Sequence, residues 1–247
     1  MRFFKRLGRS IRKRVRRSPD AFLGRVRGVV HVGANTGQER DTYEKFGLDV
    51  LWIEPIPDVF QQLKTYLDGY PRQKAYQYLI TDKDDEEYDF HIANNIGQSS
   101  SILDFKHHRD IWPEVTFVGS LKMRSKTLAS FLDAEVIDIG RYDALVVDTQ
   151  GSELLVLKGA QGRLGAFNYI QTEVADFEAY AGCCTVDGIE AFLKENGFKE
   201  WLRNKVSSHP AGGSYYEILY KKLPAQEPGW SGLSSWRKIV VYLGEKF

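Results

Sequence analysis

The chain has 247 residues, 34 Lys+Arg against 33 Asp+Glu, and 43% apolar side chains, the balance of a globular protein with one large or two small cores. No apolar run approaches the roughly 18 residues of a membrane span, no secretory signal pattern is present, and the two cysteines, Cys183 and Cys184, are adjacent, so a reducing cytoplasmic setting is expected, with no disulfide framework. The near-neutral total hides an asymmetry: residues 1–17 hold nine basic side chains and no acid, which leaves a net −8 for the rest.

In that basic segment Phe3, Leu7, Ile11 and Val15 recur every four residues. The spacing predicts an apolar stripe with guanidinium groups on the other helix faces. Such a helix suits an anionic membrane surface, or stays a solvated arm until it meets a partner; nucleic acid is the least favoured of the three. Residues 1–20 are therefore separated from a body over 21–222, with Ser18-Pro19-Asp20 as punctuation.

The body alternates. Val29–Val32 reads as a strand, 33–37 as a small-residue bend, Gln38–Phe46 as a helix closed by Gly47, and Val50–Ile53 as a second strand ending in Glu54. Strand, tight bend, helix, strand and acid is the layout of a nucleoside-binding unit. Gly33 and Gly37 let the backbone turn and a ligand approach closely. Glu54, about 20 residues after the first glycine, is placed to accept hydrogen bonds from a ribose diol.

Asp58 is expected to cap a helix to about Leu67, and Ala75–Ile80 reads as a third strand before the polar turn Thr81–Glu87. Tyr88, Phe90 and Ile92 alternate as in a half-buried antiparallel strand. Residues 94–101 are loop chemistry, 102–113 have no clear period, Val115–Val118 and Leu121–Met123 read as two short strands, and Thr127–Asp133 as a short helix. Ala144–Val147 is an uninterrupted apolar strand ending in Asp148, followed by a turn and the helix Ser152–Lys158. Tyr169–Val174 carries Glu173, and Thr185 is expected to cap a helix to Asn196 with Gly197 at its end. Trp201–Leu202 and Tyr215–Tyr220 suit a closing pair of strands. Residues 223–247 read as a tail with a short amphipathic helix carrying Trp236, Ile239, Val240 and Leu243.

Strands alternating with helices predict an α/β fold with a mostly parallel sheet covered on both faces. Ligands bind such sheets at the carboxyl ends of the strands. Asn35, Glu54, Thr81, Asp82, Asp148 and Glu173 all fall at or just after such ends.

The chain resembles the FkbM-type S-adenosylmethionine-dependent methyltransferases. The resemblance rests on His31-Val32-Gly33-Ala34-Asn35-Thr36-Gly37, on Ile53-Glu54-Pro55-Ile56-Pro57, on Ser99–Ser101, and on the long run from Val147-Asp148-Thr149-Gln150-Gly151-Ser152-Glu153 to Lys158-Gly159-Ala160. It spans about residues 28–221. One departure stands out: His31 occupies a position where many members carry Asp. The resemblance implies a Rossmann-like seven-stranded methyltransferase sheet with one antiparallel strand near the C-terminus. It implies that Gly33, Ala34, Asn35 and Gly37 pass beside the cofactor's methionine and ribose, that Glu54 holds the ribose hydroxyls, and that Thr81 and Asp82 lie near the adenine. It also implies an oxygen acceptor on a sugar, a glycan or another small secondary metabolite.

Methyl transfer to a hydroxyl benefits from a group that removes its proton. Asp148 is the first candidate, its alternative being a cap on the Thr149–Ser152 turn; Glu173 is the second, its alternative a strand-end ion pair. His107 and His108 lie in the irregular segment that could cover a site, and either could serve. Glu153 reads as a first-turn partner of a helix dipole, and no metal site is read. Two other classes share the first unit. A nicotinamide oxidoreductase expects a third glycine where Arg40 and Asp41 stand. The other is a non-catalytic nucleoside-binding module recruited by its tails.

Overall fold

The computed structural model describes residues 19–224. The helices expected in the basic segment 1–17 and around Trp236–Leu243 lie outside them. Seven strands form the main sheet: β1 (Gly28–Val32), β2 (Asp49–Ile53), β3 (Gln73–Tyr76), β7 (Ala144–Val147), β8 (Tyr169–Ala175), β9 (Phe198–Ser208) and β10 (Ser214–Lys222). Their order is β3-β2-β1-β7-β8-β10-β9. β1, β2, β3, β7 and β8 pair in parallel, while β10 runs antiparallel to both β8 and β9. The sheet is therefore Rossmann-like with a single reversed strand, as the resemblance implied. The chain winds outward from β1 through β2 to β3, then returns to β7 on the other side. That reversal opens a crevice at the carboxyl ends of β1 and β7, where open α/β sheets hold ligands.

Alternate residues of the central strands feed two cores. Val30, Val32, Leu51, Ile53, Leu145, Val147 and Ile170 face α3 (Leu128–Ala134), α4 (Glu153–Gly159) and α5 (Val186–Glu195). Val29, Val50, Trp52, Ala144, Val146 and Tyr169 face Phe22, Leu23, Tyr43 of α1 (Arg40–Lys45) and Leu63 of α2 (Pro57–Tyr66). Burial on both faces explains why β7 reads as an unbroken apolar run. Arg27, just before β1, gives three hydrogen bonds to Asp143, just before β7, from its backbone N and its guanidinium. This clamps the inner ends of the two strands that bound the crevice.

Several boundaries differ from expectation. The run expected as one strand over Ala75–Ile80 is two: β3 ends at Tyr76, and β4 (Leu79–Thr81) joins a separate three-stranded sheet of order β4-β6-β5. An apolar run specifies burial, not which sheet buries it. β5 is Glu87–Ala93, and the two short strands expected at 115–123 are one long β6 (Phe117–Thr127), because its backbone pairing with β5 continues through Gly119 and Ser120. Asp58 does not cap α2; Pro57 takes the first helical position, where its missing N–H costs nothing, behind an extended Ile56. Thr185 holds the position before α5 without a side-chain cap, whereas Thr127 does cap α3 by accepting from Ser130 N.

Candidate active site

The bend after β1 is built from backbone contact. Gly33 has φ +84, and a Cβ there would lie 1.7 Å from the carbonyl oxygen of Asp148. The amides of Gly33 and Ala34 both donate to Ile53 O, at 3.0 and 3.1 Å, which ties the bend to the end of β2. Asn35 follows at φ 44, a left-handed position that Asn tolerates better than most residues. Its amide donates to Glu54 Oε2 at 2.9 Å, and the Ile56 amide donates to Oε1 at 2.8 Å. Glu54 is thus fixed at the lip of the bend with a lone pair left on each oxygen. Burial pushes its carboxyl up to about 7.

Gly33, Ala34, Asn35, Glu54, Asp148 and Glu173 all line one cleft of about 720 Å³. That size falls in the roughly 300–1,000 Å³ range of small-molecule sites. Three residues expected there do not line it. A Cβ on Gly37 would meet Leu63 Cδ1 at 2.7 Å, so this glycine serves the packing of α2. Thr81 is fully buried with its hydroxyl against the Lys83 backbone, and neither it nor Asp82 lines the cleft. Because the third strand splits, Tyr78, Leu79 and Ile80 supply that wall instead.

Across the cleft, Asp148 ends β7 and accepts from Gln150 Nε2 at 2.6 Å. Burial raises its carboxyl well above the usual range despite that bond. Asp148 does not cap the turn that follows. Glu153 does: its Oε1 accepts from the amides of Thr149 and Gly151, both at 3.0 Å. With 2% exposure, Glu153 is a buried structural acid rather than a surface partner of the helix dipole, and burial pushes it up to about 7. Glu173 sits on β8, level with Glu217 on β10 and beside the end of β7. Its carboxyl is raised further, first by burial and then by Asp148, Glu153 and Glu217.

The roof is the segment after β5. Ser101 Oγ donates to Gln150 O at 2.8 Å. The Tyr180 hydroxyl lies 2.9 Å from Gln150 Oε1 and 3.2 Å from Ser99 O. Floor and roof are thus stitched through Gln150. The two adjacent histidines part company here. His107 is half exposed, pairs with Asp110 at 2.9 Å, and does not line the cleft. It is removed as a candidate base. His108 is 2% exposed, lines the cleft, stacks on Phe105 at 4.9 Å and meets Trp112 in a tilted contact at 4.8 Å. Its Nδ1 has no hydrogen-bond partner, and burial lowers its pKa to about 4. Sequence spacing alone does not separate the pair, since apolar residues flank both histidines and the segment forms only a short 3-10 turn at His108–Asp110.

His107, Asp110 and His209 bring three ligand atoms within 4.8 Å of one another. The geometry favours a tether over a metal site. His209 Nδ1 accepts from the Ala211 amide at 3.1 Å, so its proton sits on Nε2 and goes to Asp110 Oδ2 at 2.9 Å. A metal-bound imidazole instead donates from its second nitrogen.

The methyltransferase FkbM domain model matches residues 31–200. The chain belongs to the FkbM methyltransferase domain family. No curated protein matches the sequence. Among solved structures, this FkbM chain is similar to 1,6-didemethyltoxoflavin-N1-methyltransferase of Burkholderia thailandensis, solved with S-adenosylhomocysteine. The identity is 14% and the TM-score 0.44, over 83% of this chain and 75% of that one. It is similar also to magnesium protoporphyrin IX methyltransferase of Synechocystis PCC 6803, solved with S-adenosylmethionine, at 8% identity and TM-score 0.44 over 80% and 71%. A third is the ribosomal protein L11 methylase of Lactobacillus delbrueckii subsp. bulgaricus, at 12% identity and TM-score 0.43 over 80% and 70%. The FkbM match spans the bend at 33–37, Glu54, the roof, Asp148 and Glu173.

Proposed function

We propose that the methyltransferase domain, taken as residues 21–222, binds S-adenosylmethionine in this cleft and methylates a hydroxyl of a sugar, glycan or other small metabolite. The observation that carries this reading is the shared cleft: the Gly33–Asn35 bend, the fixed carboxyl of Glu54 and the half-buried acid of Asp148 open on one space. The residues fit the cofactor. Gly33 leaves a Cβ-free approach, and Glu54 keeps two lone pairs aimed at a diol. Tyr78, Leu79 and Ile80 offer a mixed apolar wall to a base.

The bound cofactor supplies an activated methyl on a sulfonium, so the protein's share is alignment, exclusion of water and proton handling. Glu54 fixes the ribose. The roof segment, held to Gln150 through Ser101 and Tyr180, bounds one side of the cleft. With the methyl supplied from that sulfonium, Asp148 would take the proton that the acceptor hydroxyl must lose. A carboxyl raised by burial is better matched to that proton than an ordinary Asp.

Calorimetry and a labelled-methyl assay test this reading. S-adenosylmethionine should bind and NAD should not, with label appearing on hydroxylated acceptors. Binding without label on any of them would favour a non-catalytic module. Family membership and the missing third glycine remove the oxidoreductase alternative. For residues 1–17 we keep the proposal of an anionic membrane surface. No helix among the described residues is long and apolar enough to cross a membrane. Equal liposome co-sedimentation of the full chain and of one lacking residues 1–17 would remove it.

A further inference from the structure

Gln150 makes contacts on both sides of the cleft. It stands three residues past β7 at φ +54, a left-handed conformation that glycine would hold at less cost. The backbone alone therefore does not call for a glutamine; its polar groups do. Nε2 donates to Asp148 Oδ1 at 2.6 Å. Oε1 accepts from the Tyr180 hydroxyl at 2.9 Å, and the Gln150 carbonyl accepts from Ser101 Oγ at 2.8 Å. Both donors are buried, Tyr180 at 1% and Ser101 at 0% exposure. Gly151 lets Tyr180 come this near, because a Cβ there would lie 3.1 Å from Tyr180 Cβ. Among the described residues no other hydrogen bond reaches the Asp148 carboxyl, so Oδ2 is left to accept. The charges around Asp148 work against its ionisation. Glu39 before α1, Glu54 after β2, Glu153 of α4, Glu173 of β8 and Glu217 of β10 all repel it, and Asp20 shares a side pocket with it. His31 and His108 are held neutral by burial, and the phenols of Tyr180 and Tyr215 stay protonated. The N–H of Gln150 is the group that favours the charged form.

We propose that Gln150 is the positioning residue of the proton acceptor: it occupies one oxygen of Asp148, leaves the other to the substrate hydroxyl, and ties that alignment to the roof through Tyr180 and Ser101. This rests on the methyl-transfer reading above and adds the group that aims its base. A carboxylate free to turn about its Cβ–Cγ bond presents either oxygen in many directions. Held by Gln150, it presents one oxygen in one direction before the substrate arrives. The same N–H keeps Asp148 ionised to lower pH than its acidic neighbours alone would allow, so the proton acceptor is available near neutrality. Because Tyr180 donates to Oε1, the N–H side of the amide is the side that faces Asp148. Without the roof contacts the amide is free to turn, and the carboxyl with it.

The test reads the carboxyl directly and needs no identified acceptor. The full chain, carrying carbon-13 at its aspartate carboxyls, is titrated by NMR, and the Asp148 signal is assigned by its loss in Asp148→Asn. Gln150→Met removes the donor at nearly constant volume. The Asp148 midpoint should rise by about one pH unit, the size of a lost hydrogen bond to an ionised group. Gln150→Asn keeps an amide but falls one methylene short, and it should move the midpoint the same way; it serves if the first variant does not fold. Transfer is followed with methyl-labelled S-adenosylmethionine and a metabolite and glycan extract of the cells that make the protein. Label transfer by the Gln150 variant should fall about tenfold or more at neutral pH, with cofactor affinity by calorimetry held within about threefold. The acid limb of the rate–pH profile should move up with the midpoint. An unmoved midpoint in a variant that melts like the parent, or slower transfer with the acid limb where the parent has it, would overturn the positioning role and leave methyl transfer standing. Full label transfer by Asp148→Asn would overturn the base and its positioning residue together. Failure of S-adenosylmethionine to bind, or no label from the parent chain, would overturn the methyl-transfer reading and this role with it.

Discussion

Gly33 and Asp148 touch through their backbones: the first residue past β1 lies so close to the first past β7 that a Cβ on Gly33 would sit 1.7 Å from the Asp148 carbonyl oxygen. The two strands that bound the crevice are therefore spaced by main chain, and the candidate base is positioned by the same contact that shapes the cofactor bend. Gly33→Ala must push these strands apart and also hold φ +84 with a side chain. We expect a loss of about 3 kcal/mol or more, read as a fall in the urea midpoint. A midpoint within error of the parent would mean the contact is slack.

Glu54 holds the bend and is read as holding the ribose. Glu54→Ala removes the acceptor for Asn35 N and Ile56 N together with the ribose contacts. S-adenosylmethionine affinity should drop about 10- to 100-fold, since a charge-assisted hydrogen bond is worth about 1.5–3 kcal/mol. Glu54→Gln keeps one acceptor oxygen and should lie between. Unchanged affinity in the alanine variant would take Glu54 off the ribose.

Asp148→Asn leaves the shape of the site but removes the proton acceptor. Turnover should fall by about 10²–10⁴, the range of a lost general base, with cofactor affinity held within about threefold. Full activity would remove Asp148 from the chemistry.

Burial raises Glu54 and Glu153 to about 7 and lifts Glu173 further. A carboxyl whose folded pKa exceeds its unfolded one holds a proton that the unfolded chain releases. Its stabilisation is full below the unfolded value and is lost as pH rises through the folded one. His31 and His108, lowered to about 3 and about 4, act in the opposite sense only below about 6.5. The ligand-free protein should therefore melt at lower temperature at pH 8.5 than at pH 6.5. Cofactor binding near neutral pH should release protons, seen as a dependence of binding heat on buffer ionisation enthalpy. Melting that is flat or rises between those pH values would contradict the assigned shifts.

His31 departs from the acid common in the family. Its ring is 5% exposed, stacks on Trp52 at 4.9 Å, and places Nδ1 3.2 Å from the Tyr43 hydroxyl. His31→Asp would set a carboxylate in that aromatic slot. Stability should drop by about 2–4 kcal/mol, seen by thermal melting. An unchanged melting temperature would show that this slot accepts an acid as it stands.

Much of the fold and the cleft is legible in the sequence. The runs ending in Glu54 and Asp148 name the two strands beside the crevice, because strands covered on both faces need unbroken apolar stretches. The bend announces itself through small residues. What escapes is allegiance across distance. Nothing local tells Leu79–Thr81 to leave one sheet for another, and Thr81 and Asp82 are misplaced with it. Glu153 reads as a surface acid because its ligands are backbone amides, which sequence does not display. His107 and His108 look alike in the sequence, and only the packing of His108 against Phe105 and Trp112 tells them apart.

A Cβ on Gly159, at the end of α4, would lie 2.0 Å from the carbonyl oxygen of Thr81. The small sheet thus leans on the main body main chain to main chain, as the two crevice strands do at Gly33. The outline of the chamber is set by two bare-backbone abutments rather than by the groups that decorate it. Exchanging those groups would redirect which molecules are welcomed while the vessel keeps its form. A family built this way can diversify its clientele by repainting the walls and leaving the frame alone.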